Sequence, residues 1–272
     1  MSLNQDSMVL ISGRIQKKSG IAFHHNSQRF KNTSIENCVK RRCEALGLNS
    51  VTKYHRFLRS LPENHAEWDL LIEEMEIGRT RFFRESSQLN VFAEVLRSAR
   101  AASRRPFRVW SAACSTGEEP LTLAMLAEHH LGGRRAYDIT ASDINPRLIR
   151  FAEFGLFRRS KIIRQIPKEF RSYFASPAAG EHKCMRLLSP VMEKMTFVKC
   201  NLLSDRYPSR SFDVIFCRNV FFYFRPEDVE KTLDRLYAVA NPGGYLFVSR
   251  RDHVTGLRTQ WKKAAVGLYR KI

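Results

Sequence analysis

The sequence predicts an α/β fold in which a parallel sheet follows an all-helical N-terminal region. Three observations support this prediction. A β-type run at 107–110 leads through a turn of small residues into an apolar, helix-period run that begins at Leu121. Further strands are indicated at 137–143 and at 212–217, and the latter is nearly all apolar, as expected for a strand covered on both faces. Residues 8–76, by contrast, are typical of several short helices.

The N-terminal helices are indicated by their apolar spacing and their stop signals. The first is interrupted at glycines, the second begins at Ser34 and ends at Gly47, and the third runs from Ser50 to Pro62. A fourth helix is expected over 67–77, and a longer one over 85–104.

The C-terminal elements follow less regularly. Strand-like alternation at 183–188 and 193–198 is followed by the strand at 212–217 and a helix over 227–239. After that helix we expect a turn, a strand and a single terminal strand: 241–244, 245–249 and 264–271.

The turn after the first strand predicts a ligand site. Small side chains at Ala112, Ala113, Ser115 and Gly117 allow a ligand to lie close to the backbone, and Pro120 suits the first turn of a helix. A strand, a small-residue turn and a helix form the first unit of nucleotide-binding α/β sheets, in which ligands lie beyond the carboxyl ends of the strands. The glycines of a G-x-G-x-x-G fingerprint are absent, so a dinucleotide is not expected.

Two polar residues at strand ends are candidate ligand contacts. Asp143 ends the second strand, where a carboxylate accepts hydrogen bonds from ribose hydroxyls. Alternatively, or in addition, Asp143 caps the helix that follows. Asn201 ends the strand at 196–200, and its amide offers an adenine ring a donor and an acceptor together.

The formal net charge of +19 is the unusual bulk property. It implies an acidic partner, which charge alone does not identify: nucleic acid, an anionic membrane surface or an acidic protein. The sequence contains neither an aromatic–basic recognition signature nor a zinc knuckle, which disfavours RNA. No apolar run approaches the roughly 20 residues that span a bilayer, no signal peptide is evident, and the cysteines are expected to be reduced and buried.

Five motifs occur in an order that resembles a known family. They are T-R-F-F-R at 80–84, S-T-G-E-E-P at 115–120, A-S-D-I at 141–144, N-L-L at 201–203 and F-C-R-N-V at 216–220. Together they resemble the chemotaxis-receptor glutamate methyltransferases, the CheR family, from about Asp6 to the last strand.

The resemblance implies a fold and a division of the chain. The fold is a Rossmann-like class I S-adenosylmethionine methyltransferase sheet with a small antiparallel β-subdomain insertion, preceded by an all-α N-terminal domain. The expected parts are a helical receptor-docking domain at 1–80, a linker and connecting helix at 81–105, and the methyltransferase domain at 106–272. The insertion is expected at about 160–196.

The resemblance also implies a reaction. S-adenosylmethionine methylates a receptor glutamate, giving a glutamate methyl ester and S-adenosylhomocysteine. An ionised carboxylate needs no general base, and no metal is expected. Arg84 is implied to orient the acceptor carboxylate, and Tyr223 the acceptor or the methyl group. The implied cofactor-binding residues are Thr80, Arg84, Ala112, Glu118, Asp143, Asn201, Leu202, Arg218 and Asn219.

The implied partners are the cytoplasmic methylation helices of chemoreceptors, which the basic N-terminal domain would contact. The alternative interpretation is that the run of basic residues in that domain is only a solvent-exposed helical face. Some members of the family also hold a receptor C-terminal peptide with the β-subdomain. We expect a cytoplasmic monomer, associated peripherally with membrane receptors. The basic residues concerned are Lys17, Lys18, Arg29, Lys31, Lys40, Arg41, Arg42, Lys53, Arg56 and Arg59.

Two departures from the family pattern keep alternatives open. Gly78 stands where the family usually has asparagine, and Arg250-Arg251-Asp252 stands where it typically has His-Ser-Glu. These departures leave open a non-catalytic module that binds S-adenosylmethionine or a receptor. A nucleic-acid methyltransferase is the other alternative, which the Arg218-Asn219-Val220 segment disfavours.

Overall fold

A mixed sheet of seven strands forms the centre of the C-terminal part of the protein, and a separate sheet of three strands lies beside it. The computed structural model describes residues 5–21, 35–75, 80–99, 105–132, 136–177, 183–209, 211–252 and 254–272. The strands are β1 (Phe107–Ala112), β2 (Tyr137–Asp143), β3 (Leu156–Arg158), β4 (Phe174–Ala175), β5 (Cys184–Leu187), β6 (Met195–Lys199), β7 (Phe212–Cys217), β8 (Ala240–Phe247), β9 (Lys262–Ala265) and β10 (Leu268–Arg270).

The helices lie before the sheet and between its strands. They are α1 (Gln5–Ser19), α2 (Ile35–Ala45), α3 (Val51–Ser60), α4 (Ala66–Glu73), α5 (Ser86–Ala99), α6 (Glu118–Leu131), α7 (Pro146–Phe154), α8 (Arg159–Gln165), α9 (Ser189–Met192) and α10 (Pro226–Val239). Among the residues described, no helix combines the length and the apolarity needed to cross a membrane.

The large sheet has the order β6-β2-β1-β7-β8-β10-β9. Its first five strands are parallel, whereas β10 runs antiparallel to β8 and to β9. Ala112 is in register with Ser142 on one side and with Cys217 on the other, so three strands end at one level. The strand order reverses between β1 and β7, and this arrangement opens a crevice at their carboxyl ends. The structure thus confirms the predicted α/β class.

Alternating side chains of the central strands enter two cores. Val109 and Phe216 pack on one side with residues of α5 and α6. Trp110 and Ile215 pack on the other side with residues of α10. Burial on both faces explains why β1 and β7 are apolar runs without a polar face.

The small sheet has the order β3-β5-β4 and is antiparallel. It begins at Leu156, before the expected insertion at about 160–196, and β6, which overlaps only the end of that range, belongs to the large sheet. The ring centroids of Phe157 and Phe82 lie 4.9 Å apart, and those of Phe174 and Phe82 lie 5.8 Å apart. The small sheet therefore packs against the segment that precedes α5.

The C-terminal strands differ from the sequence prediction. The expected single terminal strand is a hairpin of β9 and β10, which turns at Gly267 with φ +69°. The expected turn at 241–244 is the beginning of β8. Backbone hydrogen bonds between this segment and Lys271 explain the difference: Gly243 N–H donates to the Lys271 carbonyl (2.9 Å), and Lys271 N–H donates to the Gly244 carbonyl (2.8 Å).

The N-terminal helices share one hydrophobic core, formed by side chains from α1, α2, α3 and α4. A buried polar cluster lies beside it. The Arg42 guanidinium, 7% exposed, donates to both carboxylate oxygens of Glu67 at 2.9 and 2.8 Å. The Tyr54 hydroxyl donates to the same carboxylate at 2.7 Å. The assignment of Arg42 to a solvent-facing basic surface is therefore wrong, because a buried carboxylate engages this guanidinium.

We expect Arg42→Ala to lower the free energy of unfolding by about 3–5 kcal/mol, because it leaves the Glu67 carboxylate buried without its cation. Arg56→Ala on the exposed side of α3 is the matched control and should change this free energy by about 0.5 kcal/mol or less. Urea denaturation of the whole chain measures both. Equal destabilisation by the two substitutions would contradict a structural role for the Arg42–Glu67 pair.

Candidate active site at the carboxyl ends of the central strands

A cavity lies beyond the carboxyl ends of β1, β2 and β7. It brings together most of the residues singled out from the sequence: Thr80, Arg84, Asp143, Asn201, Leu202, Arg218, Asn219 and Tyr223. It also contains residues that were not assigned to the site, including Ser19, Ile21, Ile144 and Glu119. Gly78 lies outside the described residues.

Two of the proposed cofactor residues do not line this cavity. Ala112 is fully buried in the core on the α10 side of the sheet. Glu118 is also fully buried, and its carboxylate accepts a hydrogen bond from Thr116 Oγ1 at 2.6 Å and pairs with Lys161. The neighbouring residues, Ala113 and Glu119, line the cavity instead.

The small residues of the first turn serve two purposes. Ala113 and Ser115 line the cavity, as expected, and both adopt positive φ. Gly117 has φ +93°, and a Cβ there would lie 2.7 Å from the Cβ of Ala152. Gly117 therefore permits close packing of α7 against the start of α6.

Asp143 connects β2 to the first turn. Its carboxylate accepts the backbone N–H of Ser115 at 2.8 Å and that of Asn145 at 2.9 Å. Burial raises the pKa of Asp143, and these backbone donors oppose that shift. The capping alternative for Asp143 is wrong, because Asn145 caps α7 by accepting the N–H groups of Arg147 and Leu148.

The side chain of Asn201 is engaged within the protein. Its Nδ2 donates to the Lys18 carbonyl at 2.6 Å, and its Oδ1 accepts the Leu203 N–H at 2.9 Å. The expected two-edged recognition of adenine by this amide stays a prediction, because these bonds use one lone pair of Oδ1 and one N–H of Nδ2 and leave one of each. Asn201 also attaches the end of α1 to the cavity.

The end of α1 forms one wall of the cavity, which the sequence analysis missed. Ser19 and Ile21 line it on either side of Gly20. Gly20 has φ +78°, and a Cβ there would lie 2.7 Å from the side chain of Leu203 and 2.8 Å from that of Phe224. In the sequence, the only signal that the end of α1 approaches Leu203 and Phe224 closely was this glycine, which interrupts the first helical pattern.

Arg218 joins the parts of the site. Its Nε donates to Glu119 Oε2 at 2.8 Å, and its Nη1 donates to the Arg84 carbonyl at 3.0 Å and to Gln88 Oε1 at 3.1 Å. The other Glu119 oxygen accepts the Ser111 hydroxyl at 2.6 Å. One buried guanidinium therefore connects β7 with α5 and α6, and through Glu119 with β1.

Arg84 lies on a strained segment at the edge of the cavity. Its neighbours Phe83 and Glu85 have φ values of 52° and 58°, which are unusual for residues with side chains. Burial lowers the pKa of Arg84, the nearby Glu85 carboxylate opposes this, and the charges of Arg218 and Arg251 add to the lowering. The guanidinium is nevertheless positive at neutral pH.

A buried carboxylate holds the loop that carries Asn219 and Tyr223. Asp252 accepts the backbone N–H groups of Asn219 (2.7 Å), Val220 (3.1 Å) and Phe221 (3.0 Å). Burial raises the pKa of Asp252 to about 6, against the opposing effect of its backbone donors. In the sequence, this residue stood out only as part of the Arg250-Arg251-Asp252 departure from the family pattern.

The chemistry of the cavity suits positioning rather than proton abstraction. Burial raises the pKa of Cys114 well above its usual range and that of Cys200 to about 11, so neither thiol is a thiolate at neutral pH. Within the described part of the chain, no group of three His, Cys, Asp or Glu side chains is placed to hold a metal ion. The cavity offers a guanidinium, carboxylates, an amide and a phenol side by side.

Comparison with known proteins agrees with this geometry. The family model described as "CheR methyltransferase, SAM binding domain" matches residues 78–269. The chemotaxis protein methyltransferase of Salmonella typhimurium is 32% identical over 231 residues, which are 84% of this chain and 78% of that protein. The corresponding protein of Escherichia coli is 31% identical over 255 residues, or 92% of this chain and 85% of that protein.

A third relative, the chemotaxis protein methyltransferase of Klebsiella aerogenes, is 32% identical over 247 residues, or 89% of this chain and 81% of that protein. The similarity thus extends through the N-terminal helices as well as the sheet. It confirms the resemblance indicated by the ordered motifs. The chain belongs to the CheR family, and residues 78–269 form its S-adenosylmethionine-binding methyltransferase domain.

Proposed function

We propose that this protein methylates glutamate side chains of chemoreceptors, forming glutamate methyl esters and releasing S-adenosylhomocysteine. The observation that carries this proposal is the presence of Arg84 and Tyr223 in the same cavity as the strand-end residues Asp143 and Asn201. A guanidinium matches the two oxygens of a carboxylate. An ionised carboxylate is already nucleophilic, so the site needs no general base.

The residues of the cavity fit S-adenosylmethionine, which supplies an electrophilic methyl group when bound. Asp143 accepts the backbone N–H groups of Ser115 and Asn145, and a carboxylate has about four acceptor positions in all. The remaining positions suit ribose hydroxyls. Ile144, Leu202 and Val220 provide apolar surface for an adenine ring.

The charged end of the cofactor suits the opposite side of the cavity. We assign its amino group to Glu119 rather than to Glu118, because Glu119 lines the cavity and Glu118 is paired elsewhere. Arg84 holds the acceptor carboxylate, and Tyr223 faces the same space. The protein's contribution is to align the acceptor oxygen with the methyl group, an arrangement that removes most of the entropic cost of the reaction.

We further propose that the helical region up to residue 80 docks the receptor and that residues 106–272 carry out the transfer. Several expected basic contacts are already paired, because Lys17 pairs with Glu63, which also pairs with Arg14, and Lys18 pairs with Asp69. Arg41 pairs with Glu74. Among the described residues, the exposed cations of α2 and α3 without an ion pair are Lys40, Lys53, Arg56 and Arg59.

We assign these four exposed cations to a basic face that contacts acidic receptor helices. Binding of a receptor C-terminal peptide by the small sheet stays a prediction, as do the monomeric state and the location beside membrane receptors. No observation on the described residues favours a nucleic-acid substrate or a non-catalytic role.

The cofactor assignment predicts that Asp143→Ala weakens binding of S-adenosylhomocysteine by about 1–3 kcal/mol, because ribose hydroxyls lose a charged acceptor. Isothermal titration calorimetry measures this change. The matched control is Asp138→Ala on the same strand, where the carboxylate is half-buried and lies beside Arg108. Equal affinity of the two variants would remove Asp143 from the cofactor site.

The proposed reaction predicts a base-labile product. Tritiated S-adenosylmethionine and receptor-containing membranes should yield label that mild base releases as volatile methanol, since esters hydrolyse under these conditions and N-methyl groups do not. Arg84→Ala should abolish transfer, and Arg84→Lys should restore part of it, because lysine lacks the planar fork. Arg97→Ala, an exposed arginine on α5, is the control. Base-stable label would contradict the glutamate assignment.

Docking through the basic face predicts a separate effect. The triple variant Lys53→Glu, Arg56→Glu and Arg59→Glu should raise the KM for receptor membranes about tenfold at low salt and flatten its salt dependence. Affinity for S-adenosylhomocysteine should be retained. A control with the same charge change replaces Arg258, Lys262 and Lys263, which are exposed near the C-terminus. If both triple variants change KM alike, only net charge matters and the basic face is not a docking site.

A further inference from the structure

A second cleft adjoins the proposed active site. It shares Thr80 and Arg84 with the cofactor cavity. The other residues that line it are Arg81, Glu85, Ser249, Arg250 and Arg251. Arg250 and Arg251 are the residues that replace the usual family pattern after β8, and the proposed reaction gives them no role.

The cleft has a strong excess of positive charge. Four guanidinium groups line it, against one carboxylate. That carboxylate, Glu85, accepts the Ser249 hydroxyl at 3.0 Å and lies 4.0 Å from Arg84 Nε. Arg81, Arg250 and Arg251 are exposed and make no ion pair with any described residue. Cations crowded in this way repel one another, and an anionic ligand relieves the repulsion.

The backbone beneath these arginines is anchored to the active-site loop. Asp252 accepts the Ser249 N–H at 2.8 Å and also the N–H groups of the loop that begins at Asn219. The Arg251 N–H lies 3.3 Å from the Ser249 hydroxyl oxygen, to which it donates. One buried carboxylate therefore sets the position of Arg250 and Arg251 relative to the loop that carries Tyr223.

S-adenosylmethionine does not account for four guanidinium groups. It carries a single carboxylate, and its amino and sulfonium groups are cationic. The cleft is open to solvent at Arg81, Arg250 and Arg251, and its inner end reaches Arg84. A ligand that enters the acceptor site past Arg84 thus passes along this row of cations.

We propose that the cleft is a second carboxylate subsite, in which Arg81, Arg250 and Arg251 bind an acidic side chain that neighbours the acceptor glutamate. This inference rests on the proposed function, because it assumes that Arg84 holds the acceptor. Guanidinium groups bind carboxylates through two parallel hydrogen bonds, so the subsite selects acceptor segments that carry more than one acid. A glutamate without an acidic neighbour is then a poor substrate.

The direct test measures peptide binding without methyl transfer. A fluorescein-labelled peptide of six glutamates is titrated with the full-length protein in the presence of S-adenosylhomocysteine, and anisotropy reports binding. Arg250→Gln with Arg251→Gln should weaken binding about tenfold, the effect of losing two charge-assisted contacts of about 0.7 kcal/mol each. The control, Lys262→Gln with Lys263→Gln, removes an adjacent exposed pair outside the cleft and should stay within about twofold.

Three results would overturn the inference. The first is that the unaltered protein does not bind the peptide, and the second is that the two double variants bind it equally. The third is that six-residue oligothymidylate at equal concentration displaces the peptide, because that displacement would indicate a phosphate site. A peptide of six glutamines should not bind. Arg81→Gln provides a second variant in a different segment, and it should also weaken binding.

Methyl transfer separates this inference from the proposed function. With receptor membranes, the Arg250→Gln and Arg251→Gln variant should show a KM raised about tenfold, with retained affinity for S-adenosylhomocysteine. If this variant and the Lys262→Gln and Lys263→Gln control had equal KM values, the proposed carboxylate subsite would be refuted. The proposed function would still stand if the unaltered protein transferred base-labile label. If the unaltered protein gave no base-labile label, the function would fail, and the peptide titration would still decide whether the cleft binds acidic segments.

Discussion

The buried ion pair between Arg218 and Glu119 is the interaction on which the site depends. Arg218 is 5% exposed, so removing its charge from water is costly, and that cost is offset only because its donors meet acceptors on several elements. One of those acceptors is the carbonyl of Arg84. Loss of Glu119 would leave the buried charge of Arg218 without its counter-charge, and loss of Arg218 would free the segment that carries Arg84, the guanidinium proposed to bind the acceptor.

Backbone strain is concentrated around the same pair. Among the described residues, positive φ at residues other than glycine occurs at Phe83, Glu85, Ala113, Ser115 and Asn219, and each of these lines the cavity or flanks Arg84. Such conformations cost about 1–3 kcal/mol each and persist where the surroundings hold them. Asp143 holds Ser115 by its N–H, and Asp252 holds Asn219 in the same way. Buried carboxylates on β2 and after β8 thus maintain the turns that surround the ligand space.

The sequence predicted the elements that local patterns determine. The apolar runs of β1 and β7 and the position of Asp143 at a strand end follow from periodicity and composition, and the structure has them. Predictions from local patterns failed where a residue distant in sequence determines the contacts of a side chain. Asn201 bonds to the Lys18 carbonyl and Arg42 pairs with Glu67, and no local rule identifies either partner. Which of Glu118 and Glu119 faces the cavity depends on how the first turn of α6 is rotated relative to the sheet. Because the two residues are adjacent and identical, the sequence does not reveal that rotation.

The all-helical region and the catalytic sheet are joined at the cofactor cavity itself. The last turn of α1 supplies Ser19 to the cavity wall, and Asn201 bonds to the backbone of that turn. The same helix shares its core with α3, which carries Lys53 and Arg56 of the proposed docking face. A receptor bound to the proposed docking face would contact the same group of helices that forms one wall of the cavity. The proposed reaction requires alignment of the acceptor with the methyl group rather than a general base. A scaffold that positions both the receptor and the cofactor relative to the same buried contacts would provide that alignment.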